Sequence, residues 1–252
     1  MVKDLTQEIV SYRLREEILQ KQENIKKKMK TEIHQLSLGA CNCYLIKEDG
    51  LILIDGGSPN QGKRFLNELR SLSLEPKDIS LLILTHGHWD HFGSANEIKE
   101  LSGCKLAINQ HEKDWVEQAL KPLPPGTTLW GKILGTMLKI SMPFVKLPKT
   151  SVDLVLEDKD FPLEPYGIRG NVLYTPGHSS GSMSVLWDTG EAFVGDLAMS
   201  GFPKLIGKGM PIFAEDVQAV KASWHLILNR GARWIYPAHG RPFKADVLKN
   251  QL

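Results

Sequence analysis

The sequence predicts an α/β chain with a core of two mixed β-sheets and helices on their outer faces. Short apolar runs bounded by turn residues recur from about residue 31 and again in the second half of the chain. Segments with helical apolar spacing separate them. No G-x-G-x-x-G follows any of the strands, which sets the chain apart from a dinucleotide-binding sheet. Two successive runs of strands interleaved with helices bury their apolar faces best as two packed sheets with helices outside.

Residues 1–30 read as a polar helical extension in which Leu5, Ile9, Tyr12, Ile18, Leu19, Ile25 and Met29 form an imperfect apolar stripe. Such a stripe packs on the domain or lets two copies associate, so a homo-oligomer through this helix is one expectation. Lys26-Lys27-Lys28 reads as a solvated face. The domain proper is expected over 31–252. Asn42–Lys47 and Leu51–Ile54 flank Glu48-Asp49-Gly50 and predict a hairpin. A helix is expected over Gln61–Leu74, a buried strand over Leu81–Leu84 and a helix near Ser94–Leu101. Cys104–Ile108 follows as a strand and Glu112–Leu120 as a helix. Later strands are expected at Val172–Tyr174, Met183–Trp187, Glu191–Val194 and Trp234–Tyr236, with a strong helix over Glu215–Asn229. Lys121–Pro148 interrupts this regularity with five prolines, three glycines and an apolar series from Leu129 to Val145. It is too long for a connecting loop and too apolar to be fully exposed, which leaves a helical insert packed on the core or a lid over an apolar or acyl substrate.

Bulk composition narrows the function classes. At 42% hydrophobic and 24% charged, the 252 residues are those of an ordinary globular protein. A formal charge of +2 gives no reason to expect nucleic acid as the main partner, since phosphate binding usually needs a concentrated basic face. No secretory apolar region opens the chain and no run is long enough to span a bilayer, so a cytoplasmic protein without a membrane span is expected. Cys41 and Cys43, two apart in a strand-like stretch, are read as facing opposite ways and unbridged.

The chemistry concentrates in Thr85-His86-Gly87-His88-Trp89-Asp90-His91, which follows Leu81–Leu84 directly. Three histidines and an aspartate on one short loop, in a chain with 8 histidines, can hold metal on a rigid strand end. Their density suggests two metals. The same pattern, apolar strand, small or turn residue, then ligand, recurs at His178 in Thr175–Gly181, at Asp196 after Gly195, and at His239 in Tyr236–Gly240. His34, His111 and His225 lie outside such patterns and read as surface or cap residues. Asp55 ends a strand before Gly56-Gly57, where a turn-forming aspartate is expected.

His-x-His-x-Asp-His, a histidine in a Pro-Gly-His turn, a Gly-Asp and a final Ala-His-Gly, in that order, resemble the metallo-β-lactamase superfamily over roughly residues 35–245. The resemblance implies an αββα sandwich with a two-metal site at one edge. It implies that His86, His88 and His178 bind one divalent metal, that Asp90, His91 and His239 bind the other, and that Asp196 bridges them; Asp55 resembles an acidic position that supports the family's site from behind. Zinc is the expected metal; iron and manganese suit the same donors. The implied activity is hydrolysis of an ester, thioester or lactone carbonyl by a metal-bridging hydroxide, with Asp90 and Asp196 catalytic. The substrate is expected to be a small molecule, acyl or apolar, and no substrate-binding residue is legible.

Departures from subfamilies sharpen this. Only 13 residues follow His239, so the glutathione-gripping region of the glyoxalase II type is not expected. Gly195-Asp196 supplies a bridging aspartate that zinc β-lactamases generally lack, and nothing suggests a ribonuclease's RNA arm. Lactonases of the superfamily combine all seven ligands with apolar loops, as Lys121–Pro148 could. The alternative is a mononuclear iron persulfide dioxygenase using His86, His178 and Asp196. Flavin-linked di-iron members place a glutamate where His88 stands, and a binding protein on this fold would be expected to have lost ligands.

Overall fold

The computed structural model describes residues 31–201 and 208–252. The extension expected at 1–30, with its role in self-association, lies outside them. The first sheet contains β1 (Glu32–Ser37), β2 (Asn42–Lys47), β3 (Leu51–Ile54), β4 (Leu81–Ile83), β5 (Lys105–Asn109) and β6 (Leu154–Leu156), adjacent in that order. β1, β2 and β3 pair antiparallel, and β3 to β6 pair parallel. The second sheet contains β7 (Phe161–Pro162), β8 (Gly170–Tyr174), β9 (Met183–Trp187), β10 (Glu191–Gly195), β11 (Trp234–Pro237) and β12 (Phe243–Lys244). Its order is β12-β11-β10-β9-β8-β7, with only β10 and β11 parallel.

Seven α-helices follow from the same residues: α1 (Gly62–Ser71), α2 (Trp89–Phe92), α3 (Ala95–Ser102), α4 (Lys113–Glu117), α5 (Leu129–Ser141), α6 (Val217–Asn229) and α7 (Asp246–Lys249), counted among the described residues. Strand alternation sorts the core into layers. Ile52, Ile54, Leu81 and Ile83 face Val172, Val185, Trp187 and Phe193 between the sheets. Leu45, Leu53, Leu82 and Leu106 point the other way, onto Phe65 and Leu69 of α1 and Ala95 and Ile98 of α3. Leu186, Val194 and Ile235 of the second sheet pack on Val220, Trp224 and Ile227 of α6. Helix, sheet, sheet, helix is therefore the layer order. β4 is apolar at every position because both of its faces are covered.

The hairpin and β9 match expectation residue for residue. Helices α1 and α4 stop short of it because Ser73 and Ala119 turn to positive φ, 56° in each case. The strands that composition did not announce, β1, β6, β7 and β12, lie at sheet edges or are only two or three residues long. Lys121–Pro148 contains α5, whose first turn is capped by Thr128 Oγ1 accepting from Gly131 N at 3.0 Å. One expectation is corrected. Cys41 and Cys43 share a face, as residues two apart on an extended chain must, and their buried sulfurs lie 3.9 Å apart as free thiols.

Candidate metal centre

Four strand ends meet at one edge of the sandwich. The loop after β4 carries Thr85 to His91 and runs into α2, while His178, Asp196 and His239 follow β8, β10 and β11. Backbone bonds stitch this edge together: Met183 N donates to Thr85 O at 2.8 Å, and Asn42 N donates to Ala238 O at 2.8 Å. Gly195 sits at φ +52°, and a Cβ there would lie 2.4 Å from Thr85 Oγ1, so glycine is what lets β10 approach the loop.

All seven histidines and aspartates expected at the site converge. His86, His88 and His178 form one group whose donor atoms lie within 4.8 Å of one another; Asp90, His91 and His239 form a second, and His86, His91 and Asp196 a third. Asp196 reaches both sides: its Oδ1 is 3.5 Å from His91 Nε2 and 3.3 Å from His239 Nε2, and its Oδ2 is 3.6 Å from His178 Nε2. Asp90 Oδ2 lies 3.3 Å from His239 Nε2. His34 and His111 pair with Glu32 and Asp158 away from the site, and His225 is exposed on α6.

Bonds on the far side of His86, His91 and His178 explain which nitrogen of each faces inward. His91 Nδ1 bonds Asp55 Oδ2 at 2.9 Å, and His178 Nδ1 bonds Phe213 O at 2.8 Å. Thr85 N donates to Asp55 Oδ1 at 2.8 Å, Thr85 Oγ1 reaches Asp55 Oδ2 at 2.9 Å, and His86 Nδ1 lies 3.1 Å from that hydroxyl. With the hydroxyl proton on Asp55, His86 must donate through Nδ1. Asp55 thus supports the site from behind, in a strained φ of +63°.

These tautomers turn the Nε2 lone pairs of His86 and His91 inward. His86 Nε2, His88 Nε2, His91 Nε2 and Asp196 Oδ1 are all buried without a hydrogen-bond partner. Orphaned acceptors clustered in a buried site are costly unless a cation satisfies them. Imidazole nitrogen and carboxylate oxygen are the donors zinc, iron and manganese accept, so the residues fit such an ion.

Electrostatics divide the five rings: those of His86, His88 and His178 are held neutral and ligand-ready, whereas His91 and His239 are drawn toward the charged form by the carboxylates beside them. Burial, reinforced by neighbouring histidines, holds His86 well below the ordinary histidine range and His88 at about 3. Burial also lowers His178, although Asp196 and the Phe213 carbonyl oppose it. For His91 burial opposes charging, yet the carboxylates of Asp55, Asp196 and Asp90 outweigh it and raise its pKa. The same contest raises His239, through Asp196 and Asp90. Asp90 and Asp196 are held low despite burial by the surrounding imidazoles.

Sequence reasoning missed two supports, both on the segment after β5. Glu112 is fully buried. It accepts from Gly87 N, between two of the histidines, from Ser179 Oγ at 2.5 Å and from Gly181 N at 2.9 Å, just after His178. Burial pushes its carboxyl up to about 7 against those donors. Trp115 stacks on His88 with centroids 6.0 Å apart and planes 8° from parallel. Nothing local marked either residue, because an acid and an aromatic opening a short helix look ordinary.

The site opens into a cavity of about 910 Å³ lined by His88, Asp90, His178, Asp196 and His239 on one hand, and by Leu123, Leu134, Leu138, Met199, Ile212 and Phe213 on the other. Leu134 and Leu138 come from α5, which lies close because Gly131 and Gly135 face Ile212 and Phe213; a Cβ at Gly131 would sit 2.3 Å from Ile212 O.

Comparison with known proteins bears on the family and the fold. Residues 36–239 match the model of the metallo-beta-lactamase superfamily. "Probable metallo-hydrolase YflN" of Bacillus subtilis is 28% identical over 171 residues, 64% of this chain and 62% of its own length. "Probable metallo-hydrolase MJ0888" of Methanocaldococcus jannaschii is 27% identical over 79% of this chain and 87% of its own. The match thus spans less than two thirds of the length of YflN. Among solved structures, the BLEG-1 B3 metallo-beta-lactamase superposes with a TM-score of 0.63 at 20% identity, covering 85% of this chain and 95% of the other. The ST1585 protein of Sulfolobus tokodaii gives 0.61 at 21%, covering 87% and 84%. At such identities the likeness is one of fold. The family match over most of the chain, on a sandwich whose edge gathers these histidines and aspartates, makes the protein a member of the metallo-beta-lactamase superfamily.

Proposed function

We propose that the protein is a dinuclear metal-dependent hydrolase acting on an ester, thioester or lactone carbonyl of a small acyl or otherwise apolar substrate. The observation that carries this reading is the pair of ligand groups, His86/His88/His178 and Asp90/His91/His239, joined by Asp196 and facing one apolar cavity. Divalent cations held there, zinc in our reading, would supply an activated water at neutral pH and an electrophilic seat for the carbonyl oxygen.

The chain's own residues do the rest. Asp196, within 3.6 Å of imidazoles from both groups, fixes their spacing. Asp90 lines the cavity and is the carboxylate placed to orient the attacking water and hold its proton at Oδ2, beside His239. Thr85 and Asp55 fix the tautomers of His86 and His91, so the ligands need no reorganisation. Leu134, Leu138, Ile212 and Phe213 receive the acyl portion and exclude bulk water. Three free, buried thiols suit a reducing compartment, the cytoplasm in our reading.

The mononuclear iron dioxygenase reading uses His86, His178 and Asp196 and leaves the Asp90/His91/His239 group without a task. Metal content by plasma mass spectrometry on chelator-free protein, followed by a panel of esters, thioesters and lactones, tests the proposal. Two divalent metals per chain with turnover of an acyl substrate is the expected result. A single iron with oxygen uptake on a persulfide overturns it.

A further inference from the structure

Helix α5 has two apolar faces, and among the described residues only one is packed. Its inner face, Gly131, Leu134, Gly135 and Leu138, packs on Ile212, Phe213 and the cavity. On its outer face Leu129 is 75% exposed, Trp130 54%, Ile133 46%, Met137 62% and Ile140 68%; Phe144, in the turn that continues it, is 84% exposed. At 3.6 residues per turn these six side chains fall within an arc of about 100°. So large an aliphatic and aromatic stripe is not a scatter of single exposed residues.

Charge selects what would cover it. From Gln118 to Val152 the chain contains five lysines and no aspartate or glutamate. Lys132, Lys139, Lys146 and Lys149 are exposed and form no ion pair among the described residues, while Lys121 is turned inward onto Met142 O and Val145 O. A second copy docking through the same face would bring this cationic segment against itself. Residues 1–30, with eight basic and five acidic side chains, are also of like sign. An anionic partner that accepts apolar side chains to a shallow depth matches both properties.

We propose that α5 and the turn after it form an interfacial anchor, which lays the Leu129–Phe144 stripe into the surface of an anionic lipid bilayer with the lysines at headgroup level. Trp130 and Phe144 stand near the two ends of the stripe, where aromatic rings suit the interface. No described helix is long and apolar enough to cross a membrane, so the mode is lying on the surface. Because Leu134 and Leu138 on the reverse of the same helix line the cavity, the anchor sets its opening beside the bilayer. This docking is independent of the chemistry assigned to the metal centre.

The test is co-sedimentation of the full chain with vesicles of phosphatidylcholine containing one quarter phosphatidylglycerol, against vesicles of phosphatidylcholine alone. Binding is expected to the anionic vesicles, to weaken with added salt, and to fall by roughly tenfold or more in Ile133→Glu with Ile140→Glu. Both positions are exposed, so melting temperature should hold. Quenching of tryptophan emission by brominated lipid, lost in Trp130→Phe, reports the contact without a charged variant. No binding by the native chain, binding undiminished in the double variant, or a solution dimer that the double variant dissolves would each overturn the proposal, the last in favour of a second copy.

Discussion

Replacing Glu112 by alanine should weaken metal binding from a residue that touches no metal ligand's donor atom. The carboxylate accepts from Gly87 N, Gly181 N and Ser179 Oγ. Ser179 Oγ keeps its contact with Ser182 Oγ at 2.7 Å, so the variant orphans two buried backbone N–H groups. At about 1–3 kcal/mol for each unsatisfied buried donor, the loss lies between about 2 and 6 kcal/mol. Removing a buried acid with a pKa near 7 offsets part of it. Water entering the vacated space offsets more, which brings the figure to about 3 kcal/mol. For a chain of this size that is a fall of roughly 6–12 °C in Tm for the metal-free protein. Because the two released segments carry His86, His88 and His178, metal affinity should drop about 10–100-fold as well. Thermal melts of metal-free protein and competitive chelator titration measure the two effects separately. A lowered Tm with unchanged metal affinity would reduce Glu112 to a structural strut, and no change in either would refute the reasoning entirely.

Other substitutions probe different parts of the site. Asp90→Asn should lower kcat by orders of magnitude more than it raises KM, and an intact kcat in steady-state assays would remove Asp90 from the mechanism. Leu134→Ser with Leu138→Ser should raise KM for long-chain acyl substrates and spare short ones; equal effects on both would return α5 to a purely structural role. Gly195→Ala must fit a methyl 2.4 Å from Thr85 Oγ1 at φ +52°, so a destabilisation of about 2 kcal/mol or more is expected in denaturant titrations. A neutral result there would mean that β10 and the Thr85 loop can separate freely.

The seven residues that converge were legible in the sequence because each segment that carries them follows an apolar strand and a small or turn residue, a local pattern that survives without three-dimensional information. Asp55 was half legible: its place at a strand end was clear, but a turn former and a support for His91 look the same in one dimension. Glu112 and Trp115 were not legible, since their partners lie 25 to 69 positions away for the glutamate and on the facing loop for the tryptophan. The edge strands escaped because short strands with mixed polarity carry too little periodicity. Lys121–Pro148 was recognised as apolar beyond need, but composition alone could not divide its side chains between a face lining the cavity and a face turned outward. Cys41 and Cys43 went wrong through the period of the strand itself.

The loop of residues 85–91 after β4 belongs to one sheet, whereas His178, Asp196 and His239 follow strands of the other. Cations held between them would work as rivets between two halves of the chain that are each continuous in sequence. Occupancy would then set mechanical cohesion as well as chemistry: at a free metal concentration a thousand times the dissociation constant, mass action adds about 4 kcal/mol to the folded state. A cell starved of metal would hold a looser sandwich, one whose halves part more readily and reach proteases sooner. The same layout makes the chain a natural candidate for splitting between β6 and β7, with two fragments whose reassembly metal would strengthen beyond what the shared apolar core supplies.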